Sequence, residues 1–118
     1  MKRVPRTVGC PTELSLELLG GKWKTVILAR LKSGPLRYGE LRRLIPRLSD
    51  KVLTERLADL QQVGLVARET IAGEPRYRLT SQAQALCPLL QHLYDWGRVQ
   101  AERLGVTVAE VDEEQAEA

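Results

Sequence analysis

The feature that most restricts the fold is a change of hydrophobic period at Gly64. Upstream of it, apolar residues recur at helical spacing. Downstream they alternate through two short runs and then return to helical spacing. The two periods bury different faces, so the chain is expected to order itself as helices, a β-hairpin and a closing helix. Pro11 predicts the start of a first helix, at the position where its missing N–H costs nothing. Leu14, Leu18 and Leu19 form its apolar face, and Gly20-Gly21 end it. A second helix is expected from Lys22 to Lys32. It puts Trp23, Val26, Ile27, Arg30 and Leu31 on one face, leaves Lys22, Lys24 and Lys32 outside, and stops at Ser33-Gly34-Pro35.

A short third helix, Tyr38 to Ile45, is closed by Pro46. Arg47-Leu48 makes a tight connection, and Ser49 is suited to cap a fourth helix carrying Leu53, Leu57 and Leu60 on one stripe. Gly64 terminates that helix. Leu65–Thr70 and Arg76–Thr80 read as strands around an Ala72-Gly73-Glu74-Pro75 turn, with Arg76 and Arg78 on the same outward face. Thr80 or Ser81 caps a last long helix to Leu104, whose apolar face is Leu86, Leu89, Leu90, Leu93, Trp96 and Val99. Pro88 predicts a kink in it or a turn near its N-terminus. The expected class is mainly α with a small β-hairpin: a flexible basic arm over 1–9, one domain over 10–104 and an acidic tail over 105–118.

Several function classes are disfavoured. No apolar run reaches the ~18 residues of a membrane span, and the basic N-terminus lacks a signal-peptide core, so a cytoplasmic protein is expected. Cys10, Cys87 and the single His92 make neither a disulfide scaffold nor a metal centre, and Gly20-Gly21-Lys22 lacks the upstream glycine of a phosphate loop. No cofactor and no catalysis are expected. The net charge of +3 hides an asymmetry, because five of the fifteen acids lie in the last nine residues. Residues 1–109 carry eighteen basic and ten acidic side chains, a net of +8. A basic body points to a polyanionic partner.

The helix, tight turn, helix and hairpin order shows how that partner could be met. A DNA major groove, about 12 Å wide, admits one α-helix that buries a narrow face on its own domain. With Leu53 facing the core, Lys51, Glu55, Ala58 and Gln62 lie opposite and Thr54 sits at the edge. Ser49, Asp50, Lys51 and Thr54 would reach bases or phosphates first. Arg37, Tyr38, Arg42, Arg43 and Arg47 lie before it, Arg56 within it, and Arg76 and Arg78 on the hairpin. The arginines would mainly neutralise phosphates. The same pattern also serves protein-interaction modules, so from these residues alone both readings stand.

The segment from Cys10 to Gly97 resembles the HxlR-type regulators, relatives of the MarR-type winged-helix proteins. The resemblance is carried by Cys10-Pro11, Gly20-Gly21-Lys22-Trp23, Gly34-Pro35-Leu36-Arg37-Tyr38 with Glu40-Leu41, Leu53 through Leu57, Gly64-Leu65-Val66, Tyr77 to Thr80 and Pro88 to Trp96-Gly97. It implies a winged helix-turn-helix fold and a regulator, expected to be a repressor, that binds double-stranded DNA at a pseudo-palindromic operator. It also implies a homodimer joined by the first and last helices, with Leu14, Leu18, Leu86, Leu89, Leu90, Leu93 and Trp96 as candidate interface residues. Cys10, at the head of the first helix, is similar in position to cysteines by which such regulators sense oxidants or electrophiles. A helix end and nearby cations can lower a thiol pKa. Switching by a small-molecule ligand instead is the alternative. Cys87, on a helix expected to be largely buried, reads as packing. The wing is shorter than is usual in the family, and the last helix lacks the usual glycine near its start.

Overall fold

The computed structural model describes residues 4–109, so Met1–Arg3 of the basic arm and the acidic tail from Glu110 lie outside the described residues. The elements follow the expected order: α1 (Pro11–Leu19), α2 (Lys24–Leu31), α3 (Tyr38–Leu44), α4 (Asp50–Gln62), β1 (Val66–Ile71), β2 (Glu74–Leu79), α5 (Ser81–Gln84) and α6 (Cys87–Leu104).

The core is built where the periodicity put it. Ile27, Leu28 and Leu31 of α2 meet Leu41 and Ile45 around α3, Leu53, Leu57 and Leu60 of α4, and Val66 and Leu79 of the hairpin. Leu48 in the α3–α4 connection is also buried. Ser49 caps α4 as its composition suggests: its Oγ accepts a hydrogen bond from the Val52 N–H at 3.2 Å. Gly20 is required by a close approach, since a Cβ there would collide with the Leu16 carbonyl oxygen.

Four expectations need correction. The second helix begins at Lys24, because Trp23 sits in the left-handed region at φ 83° and cannot be a helical residue. That shift turns Lys24 inward; it is 7% exposed instead of lying outside. The second strand begins at Glu74, since Ala72 and Gly73 alone make the turn, with φ of 54° and 81°. Positive φ at both central residues matches the twist of a two-residue hairpin. The final helix is two helices: α5 ends at Gln84, and Pro88 lies in the first turn of α6, where it needs no N–H. Lastly, α6 contains no fully buried residue, so Cys87 packs half-buried at the edge of the core rather than within a buried helix.

Ala72 bears a conformation that disfavours a β-carbon, whereas asparagine tolerates it. Ala72→Asn is therefore expected to stabilise the hairpin by about 0.5–1 kcal/mol, read as a rise in the midpoint of thermal unfolding. A lower midpoint would contradict the assigned turn.

Candidate nucleic-acid interface

The candidate surface is built on the α3–turn–α4 unit. Glu40 caps α3 by accepting a hydrogen bond from the Arg37 backbone N–H at 2.8 Å. Buried Ile45 and Leu48 bracket exposed Pro46 and Arg47, and the Leu48 N–H donates to the Ile45 carbonyl at 3.1 Å. This compact connection sets where α4 begins.

A second device fixes the angle between the helices. Asp50 Oδ1 accepts from the Tyr38 hydroxyl at 3.0 Å and from Arg42 Nε at 2.9 Å. The Tyr38 hydroxyl also lies 3.4 Å from Thr54 Oγ1. The Tyr38 hydroxyl, followed by the Arg42 guanidinium, holds the Asp50 carboxyl below its ordinary range, so it stays an acceptor at neutral pH. With both its partners on α3, Asp50 ties the start of α4 to the preceding helix.

The wing is attached in two ways. Leu36 and Tyr77 exchange backbone hydrogen bonds at 2.8 and 2.9 Å, joining the segment before α3 to β2. Alongside, Arg37 Nη1 lies 3.1 Å from Glu74 Oε2 and Arg37 Nε lies 3.3 Å from Glu40 Oε1. Arg76 reaches the same two carboxylates, Glu40 at 3.9 Å and Glu74 at 3.6 Å. Within this network the Arg37 backbone N–H and then its guanidinium hold the Glu40 carboxyl low, while Glu40 first and Glu74 second raise the Arg37 pKa.

Several cations remain outside these networks. Arg43, Arg47 and Lys51 are exposed and make no ion pair among the described residues, and neither does Arg68 on β1. The HxlR-like helix-turn-helix model matches residues 18–104 of this chain.

The chain belongs to the HxlR-like helix-turn-helix family.

It is 36% identical over 99 residues to the HTH-type transcriptional regulator YdeP of Bacillus subtilis (strain 168), covering 81% of this chain and 77% of that protein. The redox regulator HypR in its oxidized form superposes with a TM-score of 0.70 at 32% identity, over 76% of this chain and 96% of HypR. Quinone-bound YodB from B. subtilis superposes at 0.67 with 36% identity, over 75% of this chain and 98% of YodB. The protein is thus an HTH-type, DNA-binding transcriptional regulator with a winged-helix fold, in a family of regulators rather than enzymes. No helix among the described residues is long and apolar enough to cross a membrane.

On this HxlR-like frame the residues singled out from the sequence separate into groups. Ser49, Asp50, Lys51 and Thr54 do cluster at the start of α4, but Asp50 and Thr54 join Tyr38 and Arg42 in the interhelical clamp. Arg56 turns away: its Nε donates to the Lys22 carbonyl at 3.3 Å, and its Nη1 lies 3.6 Å from Asp59 Oδ2. Glu55 is exposed on the same side of α4 as Arg56 and Ala58, beside the Gly20-Gly21 corner. Arg76 and Arg78 share a face, but with Glu69 and Glu74 opposed to them; Arg78 Nε is 3.0 Å from Glu69. Sequence reasoning passed over Arg68. It pairs in register with Tyr77 and lines an open cleft of about 460 Å³ with Arg37, Tyr38 and Pro75. Strand alternation puts it on the opposite face from Glu69, a signal present in the sequence.

Cys10 is the N-cap residue of α1 and is exposed; its side chain closes no capping hydrogen bond. The Thr12 backbone N–H, then its hydroxyl, favour the thiolate and hold the Cys10 pKa below the ordinary thiol value. On α1, Leu14 and Leu18 are half-buried while Leu16, off the stripe read from the sequence, is exposed. Leu86, the N-cap residue of α6, and Leu90 pack on the core, whereas Leu89, Leu93 and Trp96 stand exposed with Val99.

Proposed function

We propose that this regulator is a homodimer that binds a pseudo-palindromic operator as a repressor, with residues 10–104 as the working domain. The start of α4 meets base edges, and Arg43, Arg47 and Arg68 anchor phosphates. The observation that carries this reading is the clamp: Asp50, held by Tyr38 and Arg42, fixes the first turn of α4 while Lys51 stays exposed beside unpaired arginines. Phosphate anchoring moves away from Arg37 and Arg76, which are engaged by Glu40 and Glu74.

Salt dependence tests it. Each phosphate contact contributes about 0.9 to the slope of log affinity against log salt. Arg43→Ala with Arg47→Ala is expected to reduce that slope by nearly 2 and to weaken all duplexes alike. Lys51→Ala is expected instead to alter preference among sequences, by about 1–3 kcal/mol at the contacted base. Duplex binding that is insensitive to salt would favour a protein-interaction module.

Control is assigned to Cys10. Its support is an exposed, acidified thiol at a helix head, together with structural similarity to a redox regulator and to a quinone-bound one. Diamide takes up two electrons and two protons as two thiols join in a disulfide. It is expected to change operator affinity of the wild type and to leave Cys10→Ser unaffected in the same titration. Superimposable curves for the two proteins would remove Cys10 from the switch.

A further inference from the structure

After α6 the chain reverses. Gly105 takes the left-handed conformation at φ 70°, and the Val106 N–H donates to the Ala101 carbonyl at 2.8 Å. A bond of that span over a left-handed residue ends the helix and turns the following segment back along it. Val108 and Ala109, the last described residues, accordingly line a cleft of about 400 Å³ with Leu90 of α6, Val26 and Arg30 of α2, and Arg47 of the α3–α4 connection. Two arginines and no acid line this cleft. Arg47 is exposed and Arg30 half-buried, and neither has an ion pair among the described residues. The Arg30 Nε is itself buried without a hydrogen-bond partner, and a buried donor is costly until an acceptor meets it. The next residue in the chain is Glu110, and Asp112, Glu113, Glu114 and Glu117 follow it.

We infer that the acidic segment from Glu110 docks on this cleft of its own chain, with its carboxylates on Arg30 and Arg47. Placement and charge together select this occupant. The chain enters the cleft at Val108 and Ala109, so the acids that follow are delivered there at high effective concentration. The guanidinium groups they meet suit carboxylates, which they can hold through paired hydrogen bonds. Arg47 is one of the residues read above as a phosphate anchor, so a docked carboxylate and a DNA phosphate exclude each other at that side chain. The tail is then an intrachain competitor that weakens binding to every duplex alike. That consequence rests on the proposed function, whereas the contact itself does not.

The test uses the full-length protein with its tail neutralised at unchanged length: Glu110→Gln, Asp112→Asn, Glu113→Gln, Glu114→Gln and Glu117→Gln together. In amide correlation NMR spectra without DNA, this protein and the wild type are expected to differ at Trp23, Arg30 and Arg47, which line the cleft, as well as in the tail. Salt raised toward ~1 M should bring the wild-type signals at those three residues toward the neutral-tail positions. On a short duplex of arbitrary sequence at low salt, the neutral-tail protein is expected to bind about three- to tenfold more tightly, the scale of one or two partly exposed ion pairs. Net charge alone would act in the same direction, so Arg30→Gln decides between the two causes. Losing a cation weakens DNA binding if only net charge matters. If Arg30 holds the tail, Arg30→Gln tightens binding by about twofold or more and adds nothing in the neutral-tail background. The spectra carry the test if Arg30→Gln fails to fold by circular dichroism. Spectral differences confined to the tail, or a folded Arg30→Gln that weakens binding alike in both backgrounds, would overturn the inference. Differences at the cleft that vanish on dilution would give the tail to a second copy and overturn the intrachain contact. Differences at the cleft that persist, with DNA affinity the same for both tails, would uphold the contact and count against Arg47 as a phosphate anchor.

Discussion

Replacing Leu93 and Trp96 together by aspartate is expected to leave a folded monomer that has lost high-affinity operator binding. Both side chains lie on α6, at 50% and 66% exposure, in line with Leu89 and Val99, which are 43% and 58% exposed. Beyond Cys87 and Leu90, which pack against the core, this helix of 18 residues leaves the rest of its apolar face exposed and has no fully buried side chain. At about 25 cal/mol per Å² of apolar surface, that face is costly to leave in water. Apolar patches of this kind mark interaction surfaces. Two carboxylates on each side of a two-fold axis would meet like charges without partners. The intramolecular fold should be nearly untouched, since neither residue contributes to the buried core. The expected results are a scattering mass of one chain, an unchanged far-ultraviolet spectrum and an operator affinity lower by about 10²–10⁴, the loss of linked half-site binding. A double variant that stays dimeric would place the interface elsewhere.

Leu57→Ala is expected to do the opposite: to cost the fold rather than the assembly. Leu57 is 1% exposed on α4, between Leu53 and Leu60 and within the cluster that includes Ile27, Leu28 and Leu41. Truncation removes buried methyl groups and leaves a cavity, with a typical cost of about 2–5 kcal/mol. Whole domains of this kind are stable by only about 5–15 kcal/mol. The midpoint of thermal unfolding should fall by roughly 10 °C or more. Because Leu57 seats α4, DNA affinity should fall with stability and recover at low temperature. The contrast with Leu93 is informative: two leucines on amphipathic stripes, indistinguishable in type, one seating a helix on its own domain and the other turned outward.

That contrast shows what was legible beforehand. The stripe Leu53, Leu57, Leu60 and the cap at Ser49 were readable, because spacing and capping chemistry are local. The stripe on α6 was equally readable, but which of its leucines pack on the chain and which face outward depends on how α6 lies over α2. Pro88 was recognised as a break, yet only the backbone decided that it opens a helix instead of bending one. The arginines misled most. Counting them identified a basic surface, but whether an arginine is free depends on carboxylates far away in sequence, as Arg37 with Glu74 shows. Arg68 was left out although strand alternation separates it from Glu69; that it faces Tyr77 instead of a carboxylate is fixed by the register of the hairpin.

The period change at Gly64, with its flanking helices and hairpin, was determined by the sequence alone, because the amphipathic period of a segment is a property of its own residues. The residues that carry the family match are likewise in the sequence. Only the tertiary structure decided which charges are spent and which are available. It joined Tyr38, Arg42 and Asp50 into a clamp, gathered Arg37, Glu40, Glu74 and Arg76 at the root of the wing, and turned Lys24 inward beside α4. The physical reason is range. Helix and strand preferences act over a few residues, whereas ion pairs and burial are settled by groups that meet only when the chain has closed on itself.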